Sequence, residues 1–366
     1  MDRQFLFRAL AFAVIARFLL LWLALLAGTD VAHGLPPEEF LPEAAVRWDS
    51  LSYLHIAEFG YTGEGHDRLL VIFLPLYPLG VWLFHFVFQD FLLSALALSF
   101  AASVAAGYYL QKLCRLEFGD KAALACLPLF IFFPTAYSLA VPYSEALALA
   151  LAVSSFYYAR VAKWPLASAL GALACLTNMR FVLLFPALVI EAVRGAGLKR
   201  WREYAWLAIV PLGTLAYFAL NFHLFGDPLM FSKFYDTQWQ HRFISPLESL
   251  STALTEYLKA PFDFTLANDS MLRVYCTAVV LGALAYANTR LRLSYHFFAG
   301  ATLVALLSLT WQIGLPRYLL SIFPLFLVFG RFSARNPVWG RILLLAFLAL
   351  FSYFSYLHLK GWWAYG

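Results

Sequence analysis

Ala9-Leu10-Ala11-Phe12-Ala13-Val14-Ile15-Ala16-Arg17-Phe18-Leu19-Leu20-Leu21-Trp22-Leu23-Ala24-Leu25-Leu26-Ala27 is an apolar run interrupted by one charge, Arg17. As a helix rising ~1.5 Å per residue it reaches ~28 Å, close to the ~30 Å of hydrocarbon in a bilayer. Arg3 and Arg8 precede it as they would in a signal peptide. No small-x-small cleavage site follows, so the run is expected to remain as a first span. Outward from it the whole chain has the same character: 63% of its 366 residues are hydrophobic and 13% charged. Water-soluble domains hold ~45–50% and ~25%. These values exclude a soluble globule and point to an all-α polytopic membrane protein. The net charge of +5 does not indicate nucleic acid, because most of the 26 Lys and Arg fall in short loops beside apolar segments, where they report topology. Cys114, Cys126, Cys175 and Cys276 lack metal-ligand spacing and are expected to pack inertly, with no metal site and no cofactor.

Placing apolar runs so that basic loops share one side yields further spans at 91–111, 122–139, 146–162, 203–223, 272–288, 295–311, 315–330 and 339–357. That makes about nine full spans within one integral domain, 1–366. The run 69–88 is long enough to cross, but it carries Pro75 and Pro78 and would invert the later loops. It is expected to lie in the interface or re-enter. Residues 165–176 and 181–193 are two apolar halves split by Thr177-Asn178-Met179-Arg180, each ~18–20 Å long, and fit a half-helix hairpin that lines a polar cavity. Two loops, about 28–90 and about 224–271, then lie on the outer side. In the second, Ser245-Pro246 followed by Leu247, Leu250, Leu254 and Leu258 marks an amphipathic helix on the membrane surface, or a structural lid.

The first outer loop holds the longest polar and aromatic segment, Arg47-Trp48-Asp49-Ser50-Leu51-Ser52-Tyr53-Leu54-His55-Ile56-Ala57-Glu58-Phe59-Gly60-Tyr61. A carboxylate beside hydrocarbon is costly unless a cation, substrate or water satisfies it, which singles out Asp49. Asp49 can also be read as the N-cap of a helix running to Phe59 and stopping at Gly60. Three more polar groups converge on that side: Tyr143-Ser144-Glu145, Asn178 with Arg180, and Pro316-Arg317-Tyr318. Each has a plain structural reading too. Glu145 can favour a helix N-terminus behind a serine cap, His55 and Glu58 can be solvated loop residues, and Arg180 and Arg317 can pair with acids as glue.

Arg47-Trp48-Asp49 with Tyr53, Ile56-Ala57-Glu58 and Gly60-Tyr61, then Phe73-Leu74-Pro75-Leu76-Tyr77-Pro78, resembles the signature of the PIG-V-type glycosylphosphatidylinositol mannosyltransferases and their prokaryotic relatives. Pro142-Tyr143-Ser144-Glu145-Ala146-Leu147, Gly226-Asp227-Pro228-Leu229 and Pro316-Arg317-Tyr318-Leu319-Leu320 resemble that family's later motifs, whereas Thr177-Asn178-Met179-Arg180 departs from its Thr-Arg-Pro-like turn. The resemblance implies a GT-C-like bundle and a polyprenyl-phosphate-sugar-dependent glycosyltransferase, mannosyltransferase-like and inverting. Its partners would be membrane lipids, a polyprenyl-phosphate-linked sugar and a glycan or glycolipid acceptor. It would work on the outer face of the membrane, the periplasmic side of an inner membrane in a prokaryote. It implies Asp49 as general base, with Arg47, Trp48, Tyr53, His55, Glu58, Glu145, Arg180, Arg317 and Tyr318 around the substrates. Two other classes compete. A secondary transporter or flippase would also break helices and bury charge, but shows an inverted repeat that this sequence lacks. A non-catalytic scaffold subunit would not need Asp49.

Overall fold

The apolar run at 9–27 folds into α1 (Asp2–Asp30), in a computed structural model that describes residues 2–30, 37–239, 242–259, 264–310 and 314–361. Arg17 does not face hydrocarbon. Its guanidinium donates to Ser103 Oγ at 3.0 Å, to Leu139 O and Ala13 O at 3.1 Å, and lies over the Phe100 ring. This charge therefore ties the first helix to the bundle.

The loop after α1 contains α2 (Pro37–Ala45), α3 (Asp49–Phe59), a 3-10 turn (Asp67–Ile72) and α4 (Leu76–Phe88). The segment 69–88 is thus split before Pro75 and Pro78, and its helix is too short to cross. Asp90 then caps α5 (Phe91–Phe118), accepting from Leu93 N–H at 2.6 Å. Helix α5 is the centre of the bundle, packed by α1, α4, α6 (Asp120–Ile131) and α7 (Glu145–Arg160) on a face rich in small residues, among them Ala95, Ala102, Ala106 and Gly107. Small side chains let backbones approach, the usual route to close packing in lipid.

Helix α8 (Trp164–Thr177) and α9 (Leu184–Ala196) flank a 3-10 turn, Met179–Leu183, opened by the Asn178 side chain accepting from Arg180 N–H at 3.1 Å. The break expected at 177–180 is present; α8 packs mainly on α7 and α11, and α9 mainly on α15. Next come α10 (Trp201–Tyr204), a 3-10 turn and α11 (Val210–Phe225), then α12 (Met230–Trp239) and α13 (Pro246–Lys259) in the second long loop. Helix α13 forms where expected, but it buries Ser249 and Ala253 and packs Leu250 inward. Leu247, Leu254 and Leu258 stay exposed. The chain finishes with α14 (Phe264–Ala287), α15 (Leu293–Leu307), α16 (Leu315–Tyr318), α17 (Pro324–Arg335) and α18 (Pro337–Leu359). Gly330 lets α17 press on α6: a Cβ there would lie 2.7 Å from Ala122 O.

Among the described residues 5 helical stretches are long and apolar enough to cross a membrane: Asp2–Gly28, Phe91–Phe118, Trp201–Phe225, Ser270–Arg290 and Pro337–Leu359. A sixth arises if Leu315–Ser321 and Pro324–Arg335, bent by 81°, act as one span. The expected count of about nine is not reached by helix length. The run 122–139 is cut at Ile131, because Pro134 keeps its predecessor out of helical backbone, and α7 and α15 have 16 and 15 residues. The architecture is a multi-pass, all-helical membrane bundle.

Candidate active site

Trp48 has φ 51° and ψ −115°, a backbone region costing a bulky residue about 1–3 kcal/mol. This turn places Asp49 as the first residue of α3 rather than its cap, and no side chain caps the helix. The capping reading of Asp49 is therefore wrong. Its carboxylate instead accepts from Arg317 Nη2 at 2.8 Å, across 268 positions of sequence. The serine-cap reading of Ser144 fails similarly: its hydroxyl accepts from the buried Tyr53 phenol at 2.8 Å and does not cap α7. Glu145, which opens α7, sets Oε1 at 3.3 Å from Arg317 Nε.

Arg317 is 5% exposed and Glu145 7%, whereas Asp49 keeps 30% of its side chain open. The Arg317 guanidinium lies between the rings of Tyr143 at 4.8 Å and Tyr318 at 5.1 Å. Its Nε is close to Glu145 but not aimed at it, so neither Nε nor Nη1 has a hydrogen-bond acceptor. Arg180 stacks on the other part of this wall, its guanidinium carbon 4.0 Å from the Tyr318 ring centre, and its buried Nε is also without an acceptor. Arg180 has no carboxylate partner among the described residues. Backbone anchors hold the loops in register: Thr135 Oγ1 donates to Pro316 O at 3.0 Å, Tyr143 OH to Arg47 O at 3.3 Å and Ser99 Oγ to Val141 O at 3.1 Å.

The phenols here stay protonated. Burial, and then the charges of Glu145 and Asp49, hold Tyr53 well above its ordinary value, and burial with the Asp49 charge does the same for Tyr143. Tyr235, on α12, is likewise raised by burial and feels Tyr318, Arg180, Asp49 and Arg317. Sequence reading missed it, since a loop tyrosine carries no periodic or motif signal. His358 of α18, buried, was missed too: its ring lies tilted 4.7 Å from that of Tyr137 and meets Tyr143 edge-on.

The structure thus gathers Asp49, Tyr53, Glu145, Arg180, Arg317 and Tyr318. It does not bring in three others. Arg47 pairs with Glu43 at 2.9 Å, one turn back along the chain. His55 faces Asp67 at 3.1 Å and packs on Phe59, and Glu58 lies on the exposed side of α3. Trp48 shapes the backbone before Asp49. Among the described residues no three His, Cys, Asp or Glu side chains are grouped to hold a metal ion, and all four cysteines are free and buried.

No protein-family model matches the chain, and comparison with curated proteins finds no match. A solved structure does. The chain shares the fold of ArnT. That protein, from Cupriavidus metallidurans and bound to undecaprenyl phosphate, aligns with a TM-score of 0.54 over 97% of this chain and 76% of ArnT, at 14% identity. At such identity the likeness to ArnT is one of fold alone. The PIG-V likeness remains one of motifs.

Proposed function

We propose that this chain is a membrane glycosyltransferase that moves a sugar from a polyprenyl-phosphate-sugar donor to a hydroxyl of a lipid-linked or glycan acceptor. One observation carries the reading. A partly exposed carboxylate, Asp49, is held against an arginine whose Nη1 has no acceptor and whose Nε, 3.3 Å from Glu145, makes no hydrogen bond; beside it Arg180 has no carboxylate partner among the described residues. Buried guanidinium groups are costly to leave unsatisfied, and their fork matches phosphate. The ArnT structure, of the same fold, holds undecaprenyl phosphate, which supports a lipid phosphate as the donor's anion.

In this reading the donor phosphate accepts from Arg317 Nη1 and from Arg180, while Asp49 faces the acceptor. Asp49 takes the hydroxyl proton, the oxygen bonds to the anomeric carbon, and the bond from that carbon to phosphate oxygen breaks. The lipid phosphate leaves with the electron pair, its charge held by the guanidinium groups in a site where such contacts outweigh their value in water. A single displacement inverts the anomeric centre. The exposed apolar face of α4, with Leu79, Leu83 and Phe86, offers a wall for the prenyl chain. Mannose and the outer face follow from the motif resemblance and from the basic loops.

Purified protein given a radiolabelled polyprenyl-phosphate mannose and a glycolipid acceptor should move label to the acceptor. Label entering vesicles without transfer would point to a flippase, and neither result to a scaffold. The side of the membrane is tested separately. Single cysteines near Glu64 should react with an impermeant thiol reagent from outside and ones near Arg194 and Arg335 should not. The reverse pattern sinks an outward site.

A further inference from the structure

At the end of the bundle away from Asp49, the last turn of α5, the first of α6 and the last of α17 border an open cavity of about 300 Å³. It is lined by Glu117, Phe118, Ala122, Arg331, Ala334 and Arg335. Helix α7 runs from Glu145 to Arg160 between the two ends, ~24 Å at 1.5 Å per residue, so this cavity is separate from the candidate active site.

The charges around it do not balance. Glu117 is already committed: its Oε1 accepts from Arg160 Nε at 2.6 Å and from Tyr295 OH at 2.9 Å. Arg331 lies over the Phe118 ring at 4.7 Å, and its buried Nε has no acceptor. Arg335 and Arg290 stand close enough to repel its charge. None of these three arginines has a carboxylate partner among the described residues. Like charges brought together, with Arg331 Nε out of water, are unfavourable unless an anion joins them.

The surroundings say what kind of anion. Helix α18 starts two residues after Arg335, and its first turns present Val338, Trp339 and Ile342 outward, 66%, 63% and 49% exposed. Leu116 and Leu124, beside the cavity on α5 and α6, are exposed as well. A tryptophan at a helix end next to basic residues is the usual arrangement at headgroup level. A site near 300 Å³ is at the small end for a ligand pocket, enough for a headgroup with its chains outside.

We propose that this cavity binds the phosphate headgroup of an anionic phospholipid, gripped by Arg331 and Arg335 with Arg290 adding charge, its acyl chains lying along the open face of α18. Basic pockets between membrane helices hold lipid phosphates by this physics.

The test uses the full chain in detergent with phosphatidylglycerol, phosphatidylcholine or inorganic phosphate, counting retained lipid by native mass spectrometry. The parent should keep phosphatidylglycerol in preference to phosphatidylcholine. The double variant Arg331→Gln, Arg335→Gln should hold it at least about tenfold more weakly, the loss of a charge-assisted contact. Lys199→Gln, a basic residue in another loop, should change nothing. Equal retention by the double variant, or equal retention of the two lipids, overturns the proposal. Competition by inorganic phosphate as effective as by phosphatidylglycerol also overturns it, since the site would then read a free ion. If the double variant fails to fold, Arg335→Gln alone, on an exposed side chain, should still weaken retention, and undiminished binding there overturns it.

Discussion

Each end of this bundle holds an arginine between two carboxylates. Away from Asp49, Arg160 Nε meets Glu117 at 2.6 Å and its Nη1 meets Glu191 at 3.4 Å. Glu191 also takes Ser294 Oγ at 2.6 Å and Arg292 Nε at 3.0 Å, and Tyr295 OH closes the set on Glu117. Both carboxylates of this cluster accept hydrogen bonds from within it, and the longer Arg160 Nη1–Glu191 contact is an ion pair. At the other end Arg317 gives one good hydrogen bond to Asp49 and keeps two N–H positions unused, and Arg180 keeps another. A satisfied buried ion cluster braces helices, whereas an unsatisfied one stores an affinity for something absent. The difference separates framework from chemistry more sharply than burial or charge does.

The largest expected effect tests the open end. Asp49→Asn should cut sugar transfer ~10²–10⁴-fold, the usual worth of a general base, while donor binding and thermal stability stay near the parent's. Glu58→Gln, the exposed carboxylate of the same helix, should keep full activity. Turnover by Asp49→Asn at the parent rate would remove the chemical distinction between the ends.

Next is the closed end. Glu191→Ala strands Arg292 and part of Arg160 and should cost about 3–5 kcal/mol of stability, read as a lowered thermal midpoint. Transfer per folded molecule should not change. A variant that loses activity without losing stability would mean that the closed cluster communicates with the site.

The smallest effect sharpens the comparison. Arg317→Lys keeps a charge against Asp49 and Glu145 but loses the fork, so donor affinity should fall about tenfold, ~1.4 kcal/mol, with folding retained. Binding unchanged from the parent would return Arg317 to a bracing role like that of Arg160.

Much of the scaffold was readable locally. The runs at 9–27, 91–111, 203–223, 272–288 and 339–357 became the long apolar helices, and the break at 177–180 appears where Thr177-Asn178-Met179-Arg180 interrupts the pattern. Hydrophobic length and periodicity are properties of neighbouring residues, so they survive without knowledge of the fold. The runs at 122–139, 146–162 and 295–311 did not each become a helix long enough to cross by length, because an apolar segment buried in protein need not cross as one helix. In the first, Pro134 breaks it before it is long enough. The leucine stripe of α13 marked an amphipathic helix correctly, yet small residues made its buried contact.

By itself the sequence determined a multi-pass apolar bundle, an acidic and aromatic first loop, and a short set of polar residues gathered on one side. The tertiary structure alone decided which of them meet. Asp49 and Arg317 join across 268 positions, Tyr53 reaches Ser144, and Arg47, His55 and Glu58 turn to neighbours of their own. Motif spacing describes the chain one turn at a time, whereas a buried guanidinium selects its partners by bundle closure, through distances and directions that no local pattern encodes.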